Sequence, residues 1–242
     1  GRFNHEAACV DPLSGLVYLT EDRDDSVLYR FMPTEHGDLS AGGRLQAMRV
    51  EGIPDTRNWS SVTMERGRSF RIDWIDLDDV EAPKDDLRYR AVAAGATLLA
   101  RGEGIHMGDG ELYVCSTSGG AAGLGQIFRI APGRGERADT IELFFESNSV
   151  EQFNYGDNLT VARNGHLVVC EDQYTDIVDI HLRGITPEGR SYALGRLRMQ
   201  TELAGACFSP DGRWLFVMPI RPRAPLRSRV PGNASALPEV RL

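Results

Sequence analysis

Long apolar runs are missing from this sequence of 242 residues, and none approaches the 18 residues that a membrane-spanning helix needs. Basic residues are in deficit, because 27 lysines and arginines face 35 aspartates and glutamates, a formal net charge of −8. This acidic balance argues against nucleic-acid binding as the main function. With 41% hydrophobic and 26% charged residues, the composition is that of an ordinary soluble globular protein.

Cysteine is scarce, and the four cysteines lie far apart, at positions 9, 115, 170 and 207. None forms a CxxC pair, which excludes a zinc ribbon, and four cysteines in so long a chain do not make a disulfide framework. We expect them to be small buried hydrophobic residues. The sequence also lacks the GxSxG, HExxH, Walker A and GxGxxG motifs.

The sequence does contain a weak internal repeat, in which a glycine turn precedes an alternating apolar run. The four copies are residues 11–22 (DPLSGLVYLTED), 108–119 (GDGELYVCSTSG), 163–172 (RNGHLVVCED) and 209–217 (SPDGRWLFV). The first step, of 95 residues, is about twice the later steps of 55 and 47, so we expect it to conceal one further copy. The period is then about 48 residues, which is typical of propeller blades.

A second strand follows three of these runs, at residues 26–33, 125–133 and 179–189. Helical periodicity is nearly absent, with residues 91–100 as the best helix candidate. The pattern predicts an all-β propeller with about five blades visible, forming part of a propeller of six or seven blades. We assign residues 1–218 to the blades, with a charged insertion around 73–90. Residues 219–242 form an irregular tail rich in proline and arginine.

Acidic pairs follow two of the repeat strands, Glu21 and Asp22 in one copy and Glu171 and Asp172 in another. Equivalent positions of different blades lie at similar heights around the channel, so these carboxylates are expected to converge. Converging like charges repel unless a cation neutralises them, and Ca²⁺ prefers several oxygen ligands. The spacing therefore suggests a metal cluster, although each pair could instead cap its strand and face solvent or a neighbouring arginine.

Other polar residues interrupt apolar segments and are further candidates for a site. They are His5, Glu6, Arg101, Glu103, Asp157 and Asn158. A buried carboxylate without a partner is costly, so Glu6 and Glu103 need a cation or an arginine. Arg101 could be that arginine for Glu103, and His5 is more often structural than a ligand. Glycines on both sides of Glu103 allow the backbone to approach a ligand closely.

Four stretches of the chain resemble the PhoX-type alkaline phosphatase family. They are residues 1–31 (GRFNHEAACVDPLSGLVYLTEDRDDSVLYRF), 100–120 (ARGEGIHMGDGELYVCSTSGG), 156–173 (GDNLTVARNGHLVVCEDQ) and 203–217 (LAGACFSPDGRWLFV). The resemblance implies a bacterial hydrolase with iron and calcium in a propeller channel, which cleaves small phosphate monoesters. It also implies a periplasmic or secreted protein.

The resemblance also implies roles for individual residues. Glu6 and Glu103 would ligate metal, and Arg101 would bind the substrate phosphate. Weaker correspondences give roles as calcium ligands, or as residues that support the ligands, to Glu21, Asp22, Asn158, Glu171 and Asp172. Asp157 and His5 are supporting candidates from their positions in the sequence alone.

Two departures from the family pattern affect these expectations. We expect the chain to begin inside a domain, after the family segment that supplies an iron-binding cysteine and a further glutamate, and we expect iron only where that segment is present. After LFV the chain continues as MPIRPRAPLRSRV, where the family has an Asn-rich segment. Two alternatives stay open, a calcium-dependent lactonase-like propeller and a non-catalytic propeller stabilised by calcium.

Overall fold

The computed structural model describes residues 1–172, 180–198 and 201–220. Within them the chain forms fifteen strands and one short helix, so the fold is almost entirely β. In chain order the elements are β1 (His5–Val10), β2 (Val17–Glu21), β3 (Tyr29–Glu35), β4 (Asp38–Val50), β5 (Ser69–Leu77), α1 (Leu87–Ala93), β6 (Gly102–Met107), β7 (Leu112–Ser116), β8 (Gln126–Ala131), β9 (Asp139–Glu146), β10 (Gly156–Val161), β11 (Leu167–Glu171), β12 (Ile180–Ile185), β13 (Ser191–Leu197), β14 (Leu203–Phe208) and β15 (Leu215–Pro219).

The strands form successive antiparallel meanders, which we call blades. Blade 1 is β1–β4, blade 2 is β6–β9, blade 3 is β10–β13, and the hairpin β14–β15 starts a fourth. Strand β5 pairs with both β4 and β9, so blades 1 and 2 share one nine-stranded sheet. This architecture confirms the predicted all-β propeller class.

The number of blades differs from the expected five. The described residues contain three four-stranded blades and one hairpin, and the long first step of the repeat conceals no blade. Residues 42–90 instead supply most of the 13-residue strand β4, all of β5 and the start of α1. Equal spacing was the wrong assumption, because an insertion lengthens the first step.

The predicted glycine turns occur where the repeat placed them. Each lies between the first and second strands of its blade, with positive φ: Gly15 at 72°, Gly110 at 83°, Gly165 at 79° and Gly212 at 71°. Only glycine adopts this left-handed region without steric cost, which explains its recurrence at this point of the repeat.

The insertion between blades 1 and 2 is less solvated than its charge suggests. Its first part, up to Leu77, is strand β5, and helix α1 begins at Leu87 and overlaps the helix candidate at 91–100 only at residues 91–93. Helix α1 packs Leu87 and Ala91 against Val27 and Tyr29 of blade 1. The insertion is therefore folded onto blade 1.

Two of the four cysteines, Cys115 and Cys170, are fully buried, as expected, whereas Cys9 is half-buried and Cys207 is exposed; all four are free. Burial raises the pKa of the Cys170 thiol to about 12, so this thiol stays protonated. No helix in the described part of the chain is long and apolar enough to cross a membrane. Apart from Pro219 and Ile220, the predicted tail lies outside the described residues.

Candidate metal centre

A β-bulge recurs at the start of the first strand in each of the three complete blades. The pairs His5–Glu21, Gly102–Ser116 and Gly156–Glu171 are each followed by a register shift, after which pairing resumes three residues later. The residues inside these bulges are Glu6 with Ala7, Glu103 with Gly104, and Asp157 with Asn158. Bulges redirect side chains away from the ladder, so each blade presents one carboxylate at the same place.

These carboxylates meet at one end of the blades. Glu6, Glu103 and Asp157 each offer an oxygen, and the three atoms lie within 4.8 Å of one another. A second group of the same kind consists of Asp157, Asp172 and Glu202. We call the five residues the acidic cluster. Asp157 belongs to both groups, and Glu103 and Asp157 are 4% and 9% exposed, so the middle of the cluster is shielded from water.

Gly104 explains how blades 2 and 3 come so close. A Cβ at this position would lie 2.7 Å from the Asp157 carbonyl oxygen and 2.8 Å from the Asn158 Cα, nearer than side-chain carbons pack in proteins. Only a residue without a side chain lets the two strands approach in this way. The glycine beside Glu103 therefore accommodates the neighbouring strand and brings Glu103 beside Asp157.

Burial and mutual repulsion perturb the cluster strongly. Burial is the main cause that raises the pKa of Glu103, and the charges of Asp157, Asp22 and Glu6 raise it further. Burial, followed by the charge of Asp172, raises the pKa of Asp157 to about 7. Arg101 offsets only part of this repulsion, because the other near neighbours of Glu103 are acidic. Such a cluster favours protons or cations at its centre.

Arg101 lies at the edge of the acidic cluster. Its Nε donates to Asp22 Oδ1 at 2.7 Å, and its Nη2 donates to Glu103 Oε1 at 2.7 Å. Burial lowers the pKa of the guanidinium, but the hydrogen bond to Asp22 and the charges of Asp22 and Glu103 outweigh it and raise the pKa above its ordinary value. The side chain is only 28% exposed and permanently charged. The pairing of Arg101 with Glu103 that the sequence allowed is thus present.

Glu21 and Glu171, expected among the metal ligands, lie outside both three-carboxylate groups. They do occupy equivalent positions, at the ends of the second strands of blades 1 and 3. Each is fully buried and bonded within its own blade: Glu21 accepts from Tyr29 Oη at 2.9 Å, and Glu171 accepts from Arg183 Nε at 2.6 Å. These contacts fit the alternative interpretation, in which each glutamate pairs with a neighbouring polar side chain.

Blade 2 fits the interpretation that Glu21 and Glu171 are bonded to polar partners. Tyr29 and Arg183 stand at matching positions on the third strands, opposite Leu19 and Val169, two residues before each glutamate. In blade 2 the glutamate position holds Ser116, and the matching third-strand residue is Phe128. Blades 1 and 3 therefore have both a buried glutamate and a polar partner for it, whereas blade 2 has neither. This is the pattern expected if the partner is there to hydrogen-bond the buried carboxylate.

The other candidate residues are distributed around the cluster. Asp22 holds Arg101 and is in neither three-carboxylate group, whereas Asp172 belongs to the second group. Asn158 is half-buried inside the blade 3 bulge. His5 is exposed, stacks on the Phe3 ring at 3.6 Å and contacts the Gly1 carbonyl, which fits the structural role.

Sequence reasoning missed Glu202 and underrated Asp157. Glu202 directly precedes β14, at the start of the fourth unit, where the bulge position equivalent to Glu6 is Gly205. The repeat was recognised from its glycine turns and second strands, so a carboxylate just before a first strand did not stand out. The glycine turns before β7, β11 and β15 were easier to recognise in the sequence than the bulges.

The chemistry of the acidic cluster fits a hard cation. All five donors are carboxylates, the ligand type that Ca²⁺ prefers. Neither group in the described chain includes a cysteine or histidine, and burial raises the pKa of the nearby Cys115 thiol well above its usual range. The residues present therefore suit a hard cation such as calcium.

Fold and site together define a β-propeller with a carboxylate-lined candidate cation site and an arginine beside it. The family model described as alkaline phosphatase PhoX matches residues 1–222, and the chain belongs to this family. No curated protein matched the sequence.

Two solved structures match the chain to different degrees. One is Pseudomonas fluorescens PhoX in complex with vanadate, a transition-state analogue, with TM-score 0.68 and 19% identity. That match covers 92% of this chain and 49% of the other, so the chain spans about half the length of that relative. The second, a gluconolactonase from Xanthomonas campestris, has TM-score 0.36 and 12% identity over 88% of this chain and 68% of that one.

Proposed function

We propose that this chain carries the metal- and phosphate-binding residues of a metal-dependent phosphomonoester hydrolase. The observation that carries the proposal is the position of Arg101, a permanently charged arginine held against the edge of a cluster of five carboxylates whose middle is buried. Family membership supplies the reaction, the release of phosphate from small phosphate monoesters. The blades would occupy residues 1–218.

The charges support a cluster that takes divalent cations. The five carboxylates carry a formal charge of −5 and Arg101 carries +1, so two divalent cations would neutralise the site. Glu6, Glu103 and Asp157 would hold one cation, and Asp172 and Glu202 would share Asp157 in holding another. A bound metal of this kind polarises phosphoryl oxygens, lowers the pKa of water and neutralises charge on the leaving oxygen.

The chain's own residues would then divide the work between binding and orientation. Arg101 presents donors only, so it cannot ligate metal and would instead donate to phosphate oxygens, which its planar fork matches. Asp22 fixes Arg101 at Nε and leaves the guanidinium pointing along the edge of the cluster. Burial of Glu103 and Asp157 keeps water from weakening these electrostatic interactions.

Calcium is the ion we assign to the described residues. Iron, as the family resemblance implies, would need a ligand from a segment outside this chain. A periplasmic or secreted location belongs to the same proposal and rests on the family alone.

The test combines turnover of p-nitrophenyl phosphate, inhibition by vanadate and metal analysis on three variants. Arg101→Ala is expected to retain calcium and to lose about 2–4 kcal/mol of transition-state stabilisation in kcat/KM. Arg101→Lys should recover only part, since the bidentate fork is lost. The matched control is Arg44→Ala, which removes an exposed arginine paired with Asp76. Wild-type turnover in Arg101→Ala would remove the substrate-binding residue from the proposal.

A non-catalytic propeller stabilised by calcium is the second candidate. The favouring observation is that Arg101 already donates to two carboxylates, Asp22 and Glu103, and so could serve only as their structural partner. Calcium would then raise the melting temperature, while vanadate would neither bind nor compete with a phosphate ester. Vanadate binding that depends on Arg101 decides for the hydrolase.

A further inference from the structure

We propose that Arg88, on helix α1, is a positioning residue for Arg101; this inference rests on the phosphate-binding role proposed above for Arg101. The acidic partners of Arg88, which are Glu21, Asp25 and Asp85, lie outside the acidic cluster. Arg88 contacts the turn that holds Arg101, which consists of residues 21–26 and which we call the clasp turn. The Arg88 side chain is only 7% exposed, so its charge is committed to internal partners.

Arg88 connects the two ends of the clasp turn. Its Nη1 lies 3.5 Å from Glu21 Oε1, and its Nε donates to Asp25 Oδ1 at 3.0 Å. Glu21 is fully buried and its other oxygen accepts from Tyr29 Oη. Arg88 Nη1 also donates to the Asp85 carbonyl at 3.0 Å, which fixes the guanidinium relative to its own segment. The two carboxylates are thus held at a set separation by one rigid cation.

The residues between those two ends hold Arg101. Asp22 accepts from the Arg101 Nε at 2.7 Å, and the Arg23 carbonyl accepts from the Arg101 backbone N–H at 2.8 Å. On the far side of the turn, the Leu99 N–H donates to the Ser26 carbonyl at 2.8 Å, and the Ser26 hydroxyl donates to the Leu99 carbonyl at 3.0 Å. The clasp turn therefore sets both the backbone and the side chain of Arg101.

Arg101 needs such support because its backbone is unusual. Its φ is 45°, in the left-handed region that a residue with a side chain avoids unless its surroundings impose it. The imposed conformation places the guanidinium between Asp22 and Glu103. Loosening the clasp turn should let Arg101 relax toward ordinary backbone angles and withdraw its donors from the cluster.

Only Arg88 belongs to the insertion. Helix α1 begins there at Leu87, and Arg101 follows Arg88 by thirteen residues, directly before strand β6. In blade 3 the buried glutamate instead takes its arginine, Arg183, from the adjacent strand β12, without any insertion. Arg88 of helix α1 thus contacts the clasp turn from one side, and Arg101 contacts the same turn from the other.

The experiment compares Arg88→Met with the double variant Arg88→Met/Glu21→Gln. The single variant leaves the buried Glu21 carboxylate without its cation and could fail to fold, whereas the double variant removes that charge as well. The control is Arg134→Met, which breaks a comparable ion pair, with the buried Asp11 at 2.6 Å, at the opposite end of β1. Hydrogen–deuterium exchange of peptides covering 99–103, the inhibition constant of inorganic phosphate and the calcium content are measured in each.

We expect the amides of residues 99–103 to exchange faster in the double variant. Its affinity for inorganic phosphate should fall about tenfold, a change of about 1.4 kcal/mol. In turnover, KM should rise by a larger factor than kcat falls. Calcium content should not change, Arg88→Lys should rescue in part, and the control should match wild type. Unchanged exchange and phosphate affinity in the folded double variant would overturn the inference. Failure of the wild-type chain to bind phosphate would instead defeat the proposed function, while the exchange result would still decide whether Arg88 positions Arg101.

Discussion

Replacing Asp157 by asparagine should stabilise the metal-free protein and weaken its response to calcium. Asp157 is shared by both groups of the acidic cluster, and its pKa rises from 3.8 to about 7. At about 1.4 kcal/mol per pH unit, this corresponds to on the order of 4 kcal/mol of strain in the ionised, folded protein.

The pH dependence has a definite sign. The folded protein binds this proton more tightly than the unfolded chain, so the metal-free protein loses stability as pH rises from about 4 through about 7. Above that range the asparagine variant avoids the loss. Calcium binding to the folded wild type offsets a large part of this loss, by roughly 2.7 kcal/mol at a hundredfold excess over Kd.

Thermal unfolding at pH 8, followed by circular dichroism in EGTA and in calcium, measures both effects. For a chain of this length, 1 kcal/mol shifts the melting temperature by roughly 2–4 °C, so Asp157→Asn should melt several degrees above wild type in EGTA. It should gain less from calcium than wild type does. The control Asp76→Asn removes an exposed carboxylate and should change neither value. The reasoning fails if Asp157→Asn is equally destabilised in both media.

Three further predictions concern the strands and pairs around the site. Gly104→Ala should lower the free energy of unfolding by about 1–3 kcal/mol and reduce the calcium response, because its Cβ would meet the blade 3 backbone. The control Gly195→Ala, whose Cβ would lie 3.6 Å from its nearest neighbour, should be tolerated, and urea unfolding compares the two variants. Arg183→Met should cost about 3–5 kcal/mol by leaving Glu171 buried and unpaired, and adding Glu171→Gln should restore part of the loss of unfolding free energy. EDTA treatment of wild type should lower its melting temperature, and an unchanged value would count against a stabilising cation.

Much of the fold was predictable because glycine turns and alternating strands are local features. The turns at Gly15, Gly110, Gly165 and Gly212 each precede a second strand, and these strands set the blades in order. The blade count was not predictable from spacing, because strand β5 and helix α1 lengthen one step without adding a blade. Whether such an insertion folds back or builds a blade depends on contacts between distant segments.

Glu6 and Glu103 could be selected as candidates from the sequence because each is a carboxylate in an apolar segment, and their roles as ligands stay predictions. Glu21 and Glu171 looked equally promising by spacing, but second-strand positions face partners within the blade, and only the structure reveals Tyr29 and Arg183 there. The bulges that bring the cluster together leave no mark in a single sequence. The role of Asp157 therefore became visible only from the register of β10 against β11.

Equilibrium dialysis with radioactive calcium tests the central claim that the acidic cluster is a cation site. The account predicts that wild type binds calcium, that Glu103→Gln and Asp157→Asn each lose most of this binding, and that Asp76→Asn keeps it. A wild-type chain that binds no calcium, or binding that survives both cluster substitutions, would contradict the account.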